Sequence, residues 1–202
     1  MMNNEKMIKT ANTAYKIVSV LRIIVTAGIA VYAAGLVLMM VIGMDRMPLS
    51  VNTLSFGTVT LHLAEGALPD QTIGKAQMLG AMLPASVILA VVYYVLTVLR
   101  RILEPMKEGR PFETDVSDNI RRLATAVLAG GILSYAAQTA SGFFFRAQYD
   151  ALRELFKEGV VDHITVTYSF SLNFVFAALV LYLLSYIFRY GEELQRQSDE
   201  TL

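Results

Sequence analysis

Apolar residues gather along the chain into four runs, separated by segments where charges and turn-forming residues return. A spanning helix needs about 20 mostly apolar residues, because about 1.5 Å of rise per residue must cover about 30 Å of hydrocarbon. The pattern predicts such helices at about 23–43, 78–98, 123–145 and 170–188. Their cores hold no Asp, Glu, Lys or Arg. Arg22, Arg100, Arg101, Arg121, Arg122 and Arg189 sit at the edges, where long side chains reach water. The first run exceeds the roughly 7–15 apolar residues of a signal peptide and ends in Met-Val-Ile-Gly-Met-Asp, so it reads as a retained anchor.

Between the runs the period changes. In the first loop (44–77), Val51 and Thr53, and then Phe56 through Leu63, carry β-branched and aromatic residues at strand spacing, with Gly57 as a bend or bulge. In the third loop (146–169) and just beyond it, Ile164, Val166, Tyr168, Phe170 and Leu172 alternate with Thr165, Thr167, Ser169 and Ser171, a strand that runs straight into the fourth helix. Isolated strands are unstable, so the two segments are expected to pair as a small sheet over the bundle. Ahead of the second strand, 149–159 carries Leu152, Leu155 and Phe156 at helical spacing, with Gly159 as a stop, and reads as an amphipathic turn under the sheet.

The central loop (99–122) concentrates turn chemistry. Gly109 is a natural end for the second helix and Pro111 forbids its continuation. Thr114 or Asp115 is placed to cap the third, and Asp118 suits its positive start. The result is a tight helical hairpin.

Composition narrows the class. Hydrophobic residues make up 55% of the 202 and charged ones only 17%, against about 25% charged for soluble domains. The excess apolar surface needs lipid. With no cysteine, and 17 basic residues balancing 17 acidic ones, a disulfide scaffold, a thiolate metal site and a basic nucleic-acid binder are all excluded. Twelve of the basic residues fall in the N-terminal segment, the central loop and the tail (189–202), and five in the other two loops. Basic flanks stay in the cytoplasm, so both termini are expected inside, and the sheet outside.

The hairpin segment Glu108-Gly109-Arg110-Pro111-Phe112, followed by Asn119-Ile120-Arg121-Arg122-Leu123, resembles a bacterial membrane-protein family known as domain of unknown function 2975. The tail is similar too, with Gly191, the Leu194-Gln195 pair and the acidic Asp199 after the last span. The resemblance covers nearly the whole chain. It implies a bacterial inner-membrane protein without an assigned reaction, and, because members often sit beside a small helix-turn-helix regulator, a regulatory partner.

Four other constellations carry candidate chemistry. His62 and His163 fall in the two predicted strands, and their pairing would bring the imidazoles together near Asp162 and Glu65 as a weak metal or proton-sensing site; two solvent-facing strand residues are the plainer reading. Met39, Met40, Met44 and Met47 offer thioethers for Cu(I), but their irregular spacing suits core filling better. On the third span Ala126, Gly130, Ser134 and Gln138 share one face, as helix-packing surface or ligand contact; Ala27, Gly28, Ala30, Ala34 and Gly35 give the first span a similar face, which either packs within the chain or forms a homodimer. Finally, the basic and acidic residues of the hairpin serve topology and capping, or else dock a protein or anionic headgroups.

No Ser-His-Asp set, HExxH or phosphate loop occurs, and the spans hold no acid for a proton path. Neither an enzyme nor a cofactor is expected. The expectation is an all-α transmembrane four-helix bundle with a small extracytoplasmic β element. Such a protein would be regulatory or sensory, in contact with the bilayer and a soluble regulator through Gly109–Phe112 and the tail, without binding nucleic acid itself. The alternative is a small transporter, or a lipid-binding or accessory subunit, with Gln138, Ser134 and Asn173 lining its path.

Overall fold

A computed structural model describes residues 4–42, 53–56, 58–63, 75–109, 116–146, 161–167 and 171–200. These residues form four helices, α1 (Asn4–Ile42), α2 (Lys75–Lys107), α3 (Val116–Arg146) and α4 (Asn173–Glu200), and three strands, β1 (Thr53–Phe56), β2 (Val59–Leu63) and β3 (Val161–Val166). Each helix is long and apolar enough to cross a membrane. Four apolar helices packed as a bundle beside a small antiparallel sheet is the expected architecture.

The helices overrun the expected spans. At 39 residues α1 rises about 58 Å, nearly twice the hydrocarbon thickness. Its charged N-terminal part, read as a flank, is helical, because lysines mark a membrane boundary without breaking a helix. Thr10 and Thr13 settle their hydroxyls on the carbonyls of Lys6 and Lys9, 2.9 Å away in both cases. The central loop likewise shrinks to a turn, as α2 runs on to Lys107 and α3 starts at Val116. In the other direction, α4 starts at Asn173 instead of Phe170 and keeps its apolar stretch only to Phe188, just before Arg189.

The strand expectations need two corrections. The first-loop segment is two strands, β1 and β2, which pair antiparallel with Phe56 opposite Val59, and not one strand; Gly57 lies outside the described residues. The third-loop strand begins earlier than expected and ends at Val166. It adds to β2, and the sheet order is β1-β2-β3. The 149–159 turn, Thr114, Asp115 and Glu65 lie outside the described residues.

The chain divides into two compact units. One unit comprises Met1–Ile29, Leu89–Gly131 and Ser171–Leu202, where parts of all four helices meet. Its core is Val98 and Ile102 of α2 with Val116, Ile120 and Leu123 of α3, and Val95, Leu99, Met106, Leu181 and Phe188 pack on that cluster. The α2 members recur at three- and four-residue steps, the seam expected of packed helices. Small residues bring the backbones close. A Cβ on Gly130 would lie 2.5 Å from the Val91 side chain, and one on Gly131 would collide with the ring of Phe174.

The second unit comprises Ala30–Ile88 and Ile132–Phe170 and holds the sheet. Val59 and Thr58 are buried there, and a Cβ on Gly142 of α3 would lie 2.5 Å from Thr58 Oγ1. Pro84 sits inside the continuous α2 and, lacking an N–H, leaves a carbonyl one turn back without its helix partner. Close by, the Tyr32 hydroxyl donates to the Met82 carbonyl at 2.6 Å and Ser86 Oγ to the Leu83 carbonyl at 2.7 Å, the polar support that a proline-bearing membrane helix recruits.

Candidate functional site

The hairpin end of the first unit holds most of the polar organisation among the described residues. Gly109 closes α2 with φ +80°, a left-handed conformation that only glycine adopts at little cost. Ahead of it the amide of Glu108 donates to the Pro105 carbonyl and that of Gly109 to the Met106 carbonyl. Ile8 of α1 lies within van der Waals reach of a side chain built at Gly109, so α1 covers the turn. Arg100 Nε donates to the Tyr15 hydroxyl at 2.9 Å, Lys107 Nζ stands 4.2 Å from the centre of the same ring, and Arg22 donates to the Tyr93 hydroxyl at 3.1 Å. Arg22 and Arg100, at the edges of the apolar runs, thus fasten α1 to α2.

At the start of α3 the cap comes from a distance. Ser117 donates its amide to Glu192 Oε1 at 2.9 Å and its hydroxyl to Oε2 at 2.7 Å, while Ser185 Oγ donates to the Ser117 carbonyl at 2.9 Å. The first turn of a helix leaves its amides unsatisfied and carries partial positive charge, so one carboxylate meets both needs. Ser117 and Ser185 are buried and Glu192 half-buried. This clasp joins the first turn of α3 to the tail of α4. Its residues escaped the sequence reading, because a cap supplied from 75 positions away leaves no local spacing to recognise.

The structure places the other candidates unevenly. Arg110, Pro111 and Phe112 lie outside the described residues. Gly191 is half-buried one residue before the clasp, whereas Leu194 and Gln195 are exposed on the last turns of α4, where Arg196 pairs with Glu193 at 2.9 Å. Asp199 belongs to α4, and its side chain is outside the described set. Ser134 and Gln138 are half-buried, and Gln138 makes no hydrogen bond among the described residues. Nothing lies within 4 Å of a Cβ built on Gly28 or Gly35, so the small face of α1 is open at both positions.

The sheet does bring the two histidines together. His62 and His163 stand opposite each other across β2 and β3, with ring centroids 4.1 Å apart and planes 10° from parallel. A register shift between His62 and Leu63 leaves Asp162 as an extra residue on β3, and its Oδ2 lies 2.9 Å from His163 Nδ1. Stacked parallel rings do not direct two lone pairs at one ion. Among the described residues no group of three or more His, Asp or Glu is placed to hold a metal.

Between the last turns of α2 and the first turns of α3 lies an open cavity of about 410 Å³. Arg101, Glu104 and Glu108 of α2 and its turn face Asp118, Asn119 and Arg122 of α3 across it.

No family model matches the chain, and no match appears among curated proteins or solved structures.

Proposed function

We propose that this four-span membrane protein is a regulatory or sensory component, not an enzyme, and that its hairpin and tail act as one docking surface for a soluble regulator. The observation that carries the reading is the Glu192–Ser117 clasp, which ties the α4 tail to the first turn of α3 with two charge-assisted hydrogen bonds. A clasp of this kind has two states. Closed, it holds Gly109 to Asn119 and the tail in a fixed relation; open, it frees the tail and uncaps α3. A signal that binds the two states with different affinity would shift their populations and so the surface offered to the partner. The resemblance to domain of unknown function 2975 suggests a DNA-binding protein of the helix-turn-helix type as that partner, held at a bacterial inner membrane.

The test is crosslinking and affinity capture of the intact protein from native membranes. Wild type, an Arg110→Ala/Phe112→Ala double variant, a chain cut after Tyr190 and Glu192→Ala are compared. A soluble DNA-binding protein captured by wild type, and reduced about tenfold or more in the variants, is the expected result. Capture that is unchanged by all three alterations overturns the reading. Recovery of membrane subunits alone moves the transporter or accessory alternative ahead.

A further inference from the structure

His62 and His163 form the last regular rung of the β2–β3 ladder; past them a register shift intervenes, and only the Leu63–Val161 pair follows. The rings stack with centroids 4.1 Å apart. Asp162 Oδ2 accepts a hydrogen bond from His163 Nδ1 at 2.9 Å, so that nitrogen already holds a proton and Nε2 is the one left to take another up. On the far side of β2, Thr53 of β1 stands opposite His62, and β1 carries no titratable side chain. The remaining residues of β2 and β3 are uncharged too. Among the described residues, the charge at this end of the sheet is therefore set by His62, His163 and Asp162.

The pair accommodates one charge and not two. Two neutral imidazoles stack, and an imidazolium stacks on a neutral ring, but like charges 4.1 Å apart repel even in water and more strongly where water is excluded. Asp162 offsets one positive charge only. The repulsion bears on β3, an edge strand that pairs with β2 alone. Its two ends are held unequally. At the Val166 end, the opposing Val59 is buried and the Thr167 amide donates to the Thr58 carbonyl at 2.9 Å. At the Val161 end, the His163 side chain is 58% exposed and the ladder is already irregular.

We infer that the histidine pair is a proton-operated latch on β3: with at most one ring charged, the end from Val161 to His163 lies on β2, and with both charged it separates while Ile164 to Val166 stay paired. Histidine is the side chain whose charge ordinarily changes between about pH 5 and 8, which sets the working range. Repulsion exists only in the doubly charged state. The pairing is therefore complete at the upper end of that range, weakens as pH falls and returns as pH rises. The inference is independent of any soluble regulator.

Amide hydrogen exchange of the full-length protein in lipid nanodiscs, corrected for intrinsic rates and compared between about pH 8 and pH 5, tests it. The amides of β1 and of the Val166 end of β3 serve as the internal reference. In wild type, protection at Val161 to His163 is expected to fall about tenfold or more relative to that reference at the acidic pH, and to recover on return to the higher one. His62→Phe and His163→Phe each keep an aromatic ring in the stack and remove one of the two charges. Either variant should hold its protection at the acidic pH, and its protection at the higher pH shows that the sheet has formed. Wild-type protection that stays unchanged across the range means that charged rings swing apart without moving the strand, and overturns the inference. A loss of protection that persists in both phenylalanine variants places the pH effect in other groups and overturns it as well.

Discussion

Glu192 concentrates the energetics of the hairpin end in one side chain. Removing it leaves the Ser117 amide and hydroxyl without a partner in a place largely closed to water, so Glu192→Ala is expected to destabilise the protein by about 1–2 kcal/mol. Glu192→Gln retains one carbonyl acceptor and should lose less. Thermal unfolding in detergent measures both, and hydrogen exchange at the Ser117 amide should accelerate in the same order; an unchanged exchange rate in the alanine variant would sink the clasp. Residue-scale detail was only partly legible in the sequence. The approach of the two histidines was readable because His62 lies within, and His163 immediately before, the two strand-patterned segments at 56–63 and 164–172 that were expected to pair, and β3 begins early enough to include His163. The Ser117–Glu192–Ser185 cluster was not, since each member looks locally like an ordinary polar residue at a helix end.

At the scale of elements, hydrophobic period identified what each segment is, and it identified its ends less well. Arg22 and Arg100 were taken as edges of the membrane spans, and α1 and α2 run through both, because lysine and arginine are good helix formers and stop only the hydrocarbon. Gly109 was legible, since a glycine ahead of Pro111 after a long helix has one common use. Packing faces divide sharply on the glycines. Gly131→Ala should cost about 1–3 kcal/mol, because its new methyl meets Phe174 close to that residue's own backbone. In contrast, Gly28→Ala meets nothing and is expected to stabilise α1 by about 0.5–1 kcal/mol. Unfolding of the two variants in the same detergent compares them directly, and equal effects would mean that α3 and α4 do not pack closely at Gly131.

For the molecule as a whole, four spans and a small sheet follow from a pattern anyone can count along the chain, whereas the third strand and the division into two compact units do not, the latter because it cuts across α1, α2 and α3 in mid-helix. The late start of α4 has its own physical result. From Asn173 to Phe188 its apolar stretch rises about 24 Å, against a hydrocarbon core of about 30 Å. Where the charge-free stretch of a spanning helix is shorter than the hydrocarbon, lipid around it thins, or flanking residues such as Arg189 and Tyr190 stretch to the interface. The protein is therefore expected to unfold at higher temperature in bilayers of shorter acyl chains than in thick ones, and reconstitution in a chain-length series measures this. Glu192 lies one turn beyond Phe188 on the same helix, so hydrogen exchange at the Ser117 amide is expected to shift along the same chain-length series.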